Sequence, residues 1–516
     1  MTKNIFSEKE LAQIRQHGIS EDAVNRQLLF VNQEKTNVEL LRPALLSDGV
    51  FSITGFEKTH LLNHYQEQIT SKRIVKFVPA SGAATRMFQD LLPILNRNHL
   101  KNCNEPMSAS VLQFLEHLSQ FAFYEELSKI MPRLDPRMNV LLDNKDYPRV
   151  VRYLLQPKGL NYANIPKGLV LFHRYPDGAR TAFEEHLMEA PGYICTEDAA
   201  AHLHFTVSDK HLDAFQTHCT QILPLYQKRF DVEYHIRFSV QRSSTDTIAF
   251  TMNNEPFRDT NGQLVFRPGG HGSLIDNLNS LKADIVMIKN IDNVTLDVYK
   301  SDTILYKRLL LSFLLSLQSK VFELLKDFDR QLLSQEKITQ AETFLQEMFF
   351  MRFSSMYRRL SLEEKRDYLY RLLHRPIRVC GVVQRENEPG GGPFWIKHPN
   401  GEVSLQIVET SEIDLRNPRQ KAILNKSEYF NPVDLACSLR DHRGEWFNLN
   451  DYVDHSRYFT SEKSHKGKPL RAIENPGLWN GAMSDWLTVF VEVPLSTFTP
   501  VKTINDLLRK EHVGKA

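Results

Sequence analysis

Apolar positions along the chain change their spacing several times, and the changes mark out its elements. In SEKELAQIRQHG, Ser7 and Glu10 form a capping-box pattern that opens a short helix, and Gly18 can end it. FEKTHLLNHYQEQI, residues 56–69, carries apolar residues at i, i+3 and i+4, so residues 1–70 read as a helical arm with a turn near Ser47 and Gly49. From Arg73 the spacing becomes that of a buried strand. KFVPA gives way to small residues and then to MFQDLLPIL, which reads as a helix: the opening βα unit of a parallel α/β domain. A helix-rich insertion at about 95–160 contains VLQFLEHLSQFAFYEELSKI. Strand signals resume at GLVLFH, HLHFTVS, YHIRFSVQ and ADIVMIKNIDNV, followed by helical spacing over about 302–376. The region 377–516 mixes strands (RVCGVVQ, VSLQIVET, WLTVFVEVPL) with loops rich in Gly, Pro and Asn. The organisation expected is an arm at 1–70, an α/β core at 71–301, a helical segment at 302–376 and a C-terminal α+β region at 377–516.

Composition narrows the function. The 516 residues are 41% hydrophobic and 24% charged, ordinary values for a globular chain. With 64 basic and 62 acidic side chains the net charge is +2, which supplies no footprint for nucleic acid or an acidic membrane, so a small-molecule partner is expected. Cys103, Cys195, Cys219, Cys380 and Cys437 are scattered without a C-x-x-C pair and read as buried thiols of a reducing compartment. The N-terminus lacks the apolar core of a signal peptide, and LLLSFLLSL (309–317) is about half of what a bilayer span needs, so a cytoplasmic location is expected.

Four stretches offer chemistry. In FVPASGAATRM, residues Ala80, Ser81, Gly82, Ala83 and Ala84 place little side-chain bulk at the turn, so backbone amides can approach a ligand, and Arg86 adds a fork of donors suited to phosphate. Read alone, this is either a phosphate cradle or a turn packing a helix on a strand. FRPGGHGSLIDNLNSL presents backbone and one imidazole, His271, on which a flat base could lie; a plain glycine turn has the same composition. In IKNIDNV, Asp292 stands at a strand's C-terminal end, where it can hold a hard cation such as Mg²⁺ or cap a turn. Lys502, in TFTPVKTINDLL, follows a proline turn near a helix start capped by Thr503 or Asn505, and either reaches back to a phosphate or is solvated. The pairs His60/His64 and His202/His204 lack a third ligand nearby and read as structural. The PGGGPFW stretch, 389–395, is a lid or a flexible turn.

In their order and spacing over about 73–508 these stretches resemble the UDP-sugar pyrophosphorylases, of the GT-A-like nucleotidyltransferase superfamily, and place the chain in a bacterial branch described as a domain of unknown function. ASGAATRM stands where that family has its A-G-G-x-G-T-R-[LM] triphosphate loop, PGGHGSL matches P-x-G-H-G, and IKNIDNV matches the strand with the metal-binding aspartate. QIVETSEID is similar to the V-E-Y-S-E element, FNPVDLA to F-N-x-x-N-I, and TFTPVKTINDLL to the F-x-P-V-K-x-x-x-D-L-L ending. The sequence departs from these patterns at Ser81, Ala84, Thr410 and Asp434.

The resemblance implies a GT-A/Rossmann-like α/β fold, three-layered, with a mixed, mostly parallel sheet, helical insertions and a C-terminal α+β region. It implies transfer of a uridylyl or other nucleotidyl group from a nucleoside triphosphate, UTP favoured, to a sugar 1-phosphate. Carried over residue by residue, Ala80, Ser81, Gly82, Ala83, Thr85 and Arg86 would hold the phosphates with Lys167, and Lys502 the sugar phosphate. Gln241, Gly270, His271 and Gly272 would take the base. Asn293, Glu409, Glu412 and Asn431 would bind the sugar, and Asp292 would hold Mg²⁺. A GT-A-like glycosyltransferase and a non-catalytic nucleotide-sugar-binding protein are the alternatives. The sequence leaves the oligomeric state open.

Overall fold

The first helix, Glu8–His17, begins as its sequence predicts: the Ser7 hydroxyl accepts from the Glu10 amide, the Glu10 carboxylate accepts from the Ser7 amide, and Gly18 closes it with φ +80°. The computed structural model describes residues 5–33, 37–69, 72–95, 107–134, 141, 146–195, 198–330, 334–386, 390–398 and 401–514. Its contacts divide into two units, each assembled from three separated stretches. The first comprises Met1–Ile74, Val240–Ile288 and Leu309–Val493; the second comprises Val75–Ser239, Lys289–Arg308 and Pro494–Ala516.

In the first unit the sheet strands run in the order Leu45–Leu46, Gly49–Phe51, Leu487–Glu492, Ile377–Gln384, Tyr429–Ser438 and Ile285–Lys289. Ile377–Gln384 is parallel to Leu487–Glu492 and antiparallel to Tyr429–Ser438. Every residue of Tyr429–Ser438 is buried, as expected of a strand covered on both faces. Arg378 is buried within this sheet, donating through Nε to Thr488 Oγ1 at 2.8 Å and through Nη1 to the Trp479 carbonyl. A smaller antiparallel sheet joins Glu39–Pro43, Gly392–Lys397 and Val403–Val408.

That smaller sheet corrects the reading of residues 1–70 as wholly helical. VELLRP is strand because its partner, Gly392–Lys397, lies far along the chain, and because Pro43 cannot continue a helix. Arg42 stacks over the Trp395 ring at 4.4 Å and forks onto Asp48, fixing the turn that follows. Elsewhere in the arm the helices Glu21–Asn32 and Gly55–Ile69 are as expected.

In the second unit, Ile74–Pro79 is parallel to Ala200–Val207, with Glu233–Val240 on the far side of the latter. The helix Ala182–Glu189 is capped by a Thr181–Glu184 box and is buried along its length. Helices Ala109–Glu116, Tyr124–Leu134 and Tyr147–Leu155 form the described part of the expected insertion; residues 96–106, 135–140 and 142–145, with Cys103, lie outside the described residues. MFQDLLPIL is not one helix. It breaks into the 3₁₀ turn Gln89–Leu91 and the short helix Leu92–Leu95, because Pro93 lacks an amide and is accommodated only in a first turn.

Helices Lys300–Asp329, Gln335–Phe349 and Leu362–Leu373 account for the expected helical stretch, and LLLSFLLSL is part of the first of them. No helix among the described residues is long and apolar enough to cross a membrane. Cys219, Cys380 and Cys437 are buried free thiols, whereas Cys195 is half-buried. The α/β class and the mixed, mostly parallel sheet read from the sequence are therefore those of the structure.

Candidate functional site

In the second unit, four sequence-distant motifs are stitched to one another through their main chains. The Lys167 amide donates to the Gly82 carbonyl at 3.1 Å and the Ala84 amide to the Ile165 carbonyl at 3.3 Å. The Ile504 amide donates to the Met87 carbonyl at 2.9 Å, and the Val501 amide to the Asp292 carbonyl at 3.1 Å. The loop 80–87, the Lys167 turn, the end of the Ile285–Lys289 strand and the Lys502 turn thus share one hydrogen-bonded frame.

Side chains complete it. Lys167 Nζ donates to Asp292 Oδ2 at 2.7 Å, with the two side chains 13% and 21% exposed. Ser81, Gly82, Ala83, Thr85 and Arg86 are exposed, whereas Ala80 and Ala84 are buried. The amides of Ser81, Gly82 and Ala83 have no acceptor among the described residues, and a Cβ built on Gly82 meets nothing within 4 Å. Three consecutive unclaimed amides beside an exposed arginine are donors available to a ligand. No α-helix follows directly to add its dipole, because Ala84–Arg86 is a single 3₁₀ turn. Ala84 has a negative φ and a side chain directed inward, so the departure from glycine there leaves the front of the loop clear.

Lys502 lies just before the 3₁₀ helix Ile504–Leu508; Thr503, one of the two caps expected, forms the capping box with Asp506. The Lys502 amide donates to the Asp506 carboxylate at 2.8 Å. Asn293 is buried, and its amide braces the tail: Nδ2 donates to the Thr497 carbonyl at 3.4 Å and Oδ1 accepts from the Thr499 amide at 2.9 Å. His202 stacks on His235, while His204 meets Ser239 and Phe77.

In the first unit, the PGGHG turn folds against the 475–480 segment. A Cβ on Gly272 would stand 1.9 Å from the Pro476 carbonyl oxygen, and Gly270 has φ +77°, so neither position accepts a side chain. His271 stacks on Trp479, centroids 4.4 Å apart, and its Nδ1 accepts from the Leu478 amide at 3.1 Å. That bond leaves the proton on Nε2, which points at Glu409 Oε1, 3.7 Å away. Burial pushes the His271 imidazole down to about 4. Burial, reinforced by the neighbouring Glu412 charge, pushes Glu409 up to about 7.

Two other candidates in this unit, Glu412 and Asn431, hold neighbouring segments in place. Glu412 is buried, paired with Arg457 at 2.7 Å, and accepts from Asn480 Nδ2 and from the Glu409 amide. Asn431 is buried and its Oδ1 accepts from the Val433 amide, while its own amide donates to the Gly391 carbonyl at 2.9 Å. Gln241 is half-buried and donates to Asp246 Oδ1 at 3.5 Å; Asp246 Oδ2 is also 3.0 Å from His17 Nε2. Sequence reading missed Trp479, Asn480 and Arg457; GLWNG, with its paired glycines around an aromatic, is the signal that could have pointed to the first two. Pro389 of the PGGGPFW stretch lies outside the described residues; Gly392–Trp395 is strand.

No curated protein matches the chain. Among solved structures it is similar to a UDP-glucose pyrophosphorylase variant from Leishmania major in complex with UDP-glucose, at 12% identity over 97% of this chain and 77% of that one, TM-score 0.44. It is also similar to the uridine diphosphate N-acetylglucosamine pyrophosphorylase of Trypanosoma brucei, at 12% identity over 98% and 79%, TM-score 0.47. Residues 7–513 match the family described as "Domain of unknown function (DUF4301)", and the chain belongs to that family.

Proposed function

We propose that the chain is a sugar-1-phosphate nucleotidyltransferase, using a nucleoside triphosphate, UTP favoured, and releasing pyrophosphate. The observation that carries this reading is the frame of the second unit: an exposed loop with unclaimed amides at Ser81, Gly82 and Ala83, hydrogen-bonded on one side to the Lys167 turn and on the other to the segment that follows Lys502. Such a frame offers amides and three cationic side chains, Arg86, Lys167 and Lys502, to an extended polyanion.

The reaction is an in-line displacement. An oxygen of the sugar phosphate attacks the α-phosphorus, the bond from that phosphorus to the bridging oxygen breaks, and pyrophosphate leaves with the electron pair. The attacking oxygen is already ionised at neutral pH, so no covalent nucleophile is called for; positioning and charge neutralisation carry the rate. In this reading the 81–83 amides and Arg86 hold the β- and γ-phosphates, Lys167 neutralises charge near the reacting phosphorus, and Lys502 holds the sugar phosphate.

Asp292 fits a magnesium role, because only Oδ2 is engaged by Lys167 and Oδ1 has no partner among the described residues. One carboxylate with phosphate oxygens and waters is the usual Mg²⁺ set. When bound, Mg²⁺ would neutralise phosphate charge. To the first unit the reading assigns base and sugar recognition: Gln241, with Gly270, His271 and Gly272, for the base, and Glu409 for a sugar hydroxyl. Glu412 and Asn431 there, and Asn293 in the second unit, act by holding neighbouring backbone in place.

A panel of nucleoside triphosphates crossed with hexose 1-phosphates, assayed for pyrophosphate release with and without Mg²⁺, tests the proposal. Turnover of one pair, lost in Arg86→Ala and Lys502→Ala, is the expected result. Binding of a nucleotide sugar without turnover of any pair would instead make the chain a nucleotide-sugar-binding protein.

A further inference from the structure

We infer that His374, Asp441 and His442 form a binding site for one divalent transition-metal ion of the zinc class, separate from the Mg²⁺ role proposed for Asp292. All three lie in the first unit, and one donor atom from each lies within 4.8 Å of the others. His374 follows the last turn of the Leu362–Leu373 helix; Asp441 and His442 stand in the turn beyond the Tyr429–Ser438 strand.

Each ligand is already aimed. Asp441 Oδ1 is fixed by the amides of Arg443 and Glu445, both at 2.9 Å, which turns Oδ2 toward His374 Nε2 at 3.2 Å. In a tetrahedral zinc site with bonds near 2.1 Å, neighbouring ligand atoms stand about 3.4 Å apart. His374 and Asp441 are therefore held close to the spacing of one tetrahedral edge.

His442 supplies the second, independent observation. Its side chain is 1% exposed, and its Nε2 donates to Asp329 Oδ2 at 2.7 Å. That places the proton on Nε2 and leaves Nδ1 as a bare lone pair, and Nδ1 is buried without a hydrogen-bond partner among the described residues. A carboxylate orienting one imidazole nitrogen while the other is free is the arrangement by which proteins set a histidine on a metal. Asp329 is itself forked by Arg443, through Nε at 3.1 Å and Nη2 at 2.7 Å. Asp441 and His442 border a cavity of about 260 Å³, and His374, 32% exposed, opens the cluster to solvent. Two imidazoles and one carboxylate suit zinc and its first-row neighbours and do not suit Mg²⁺ or Ca²⁺.

The test is a titration of chelator-treated full-length protein with Zn²⁺ alone, followed by calorimetry and by competition with a chromogenic chelator. One equivalent per chain is expected, with a rise in thermal midpoint that Mg²⁺ does not give. Affinity falls at least ~10-fold in His442→Gln and in His374→Ala, and ~10–100-fold in Asp329→Asn, which neutralises the orienting carboxylate and leaves all three ligands in place. Should His442→Gln fail to fold, the part-exposed His374→Ala and the visible spectrum of the Co²⁺-loaded wild-type protein decide. Absence of stoichiometric Zn²⁺ binding, or binding unchanged in His374→Ala, overturns the site. Neither result touches the pyrophosphate-release assay.

Discussion

Lys167 and Asp292, 125 residues apart, are joined by a 2.7 Å hydrogen bond between Nζ and Oδ2. The pair couples the cation proposed for phosphate to the carboxylate proposed for Mg²⁺, so each tunes the other. Lys167→Ala leaves Asp292 more negative in its surroundings and strengthens Mg²⁺ binding while weakening triphosphate binding. In Mg²⁺ titrations of pyrophosphate release, the half-saturating Mg²⁺ falls and the maximal rate falls ~100-fold or more. Because both side chains keep some solvent contact, stability drops by only about 1–2 kcal/mol. A higher Mg²⁺ requirement in Lys167→Ala would contradict this coupling.

The loop that carries Arg86 separates activity from stability. Arg86 is exposed and has no ion-pair partner among the described residues. Arg86→Ala therefore abolishes turnover while denaturant unfolding shifts by no more than about 0.5 kcal/mol. Ala84→Gly behaves in the opposite way. Its methyl is buried and its backbone is in an ordinary 3₁₀ turn, so glycine there removes packing and adds chain freedom. It costs about 1 kcal/mol and brings no gain in rate. A marked rise in turnover would show that Ala84 obstructs the loop after all.

What could be read in advance was whatever a short window contains. The Ser7–Glu10 box, the strands at Ala200–Val207 and Ile377–Gln384, and the motifs around Arg86, His271, Asp292 and Lys502 declare themselves through residue type and spacing. Glu39–Pro43 did not, because a strand is completed by its partner, here Gly392–Lys397. Nor did the roles of Glu412 and Asn293. The resemblance casts both as sugar ligands, whereas Arg457, Asn480, Thr497 and Thr499, all distant in sequence, occupy their polar atoms. His442 was unremarked because its meaning depends on Asp329, 113 residues earlier.

Beneath the second unit's strands a buried charge cluster sets stability. Glu189 Oε1 accepts from Lys76 Nζ at 2.7 Å and Oε2 from Lys289 Nζ at 2.8 Å, with the three side chains 0–2% exposed. Tyr193 also donates to Oε1, and Lys76 donates a second bond to the His186 carbonyl. Glu189→Gln strands two buried ammonium groups and costs at least about 3–5 kcal/mol in denaturant unfolding. Lys76→Met removes one charge and leaves Glu189 paired with Lys289, so it costs less. Equal losses in the two variants would show that packing, not charge, governs the cluster.

His271 and Glu409 make opposed contributions to the pH dependence of stability. Glu409 is raised from 4.5 to about 7, chiefly by burial and then by Glu412, so between those values the folded state holds a proton that the unfolded chain has released. Its contribution is complete below pH 4.5 and is lost as pH rises through 7. His271 is lowered from 6.5 to about 4 by burial, so there the unfolded chain holds the extra proton. Its contribution is complete above pH 6.5 and is lost as pH falls through 4. Over about pH 4.5–6.5 the two slopes oppose each other, and substitution of either residue unmasks the other. In urea unfolding followed across pH 4–7.5, Glu409→Gln removes the falling contribution, so stability rises relative to wild type as pH goes from about 4.5 to 7. His271→Gln tilts the profile the other way, so that stability falls relative to wild type as pH goes from about 4 to 6.5. Parallel profiles for all three proteins would show that neither group titrates differently in the folded and unfolded chain.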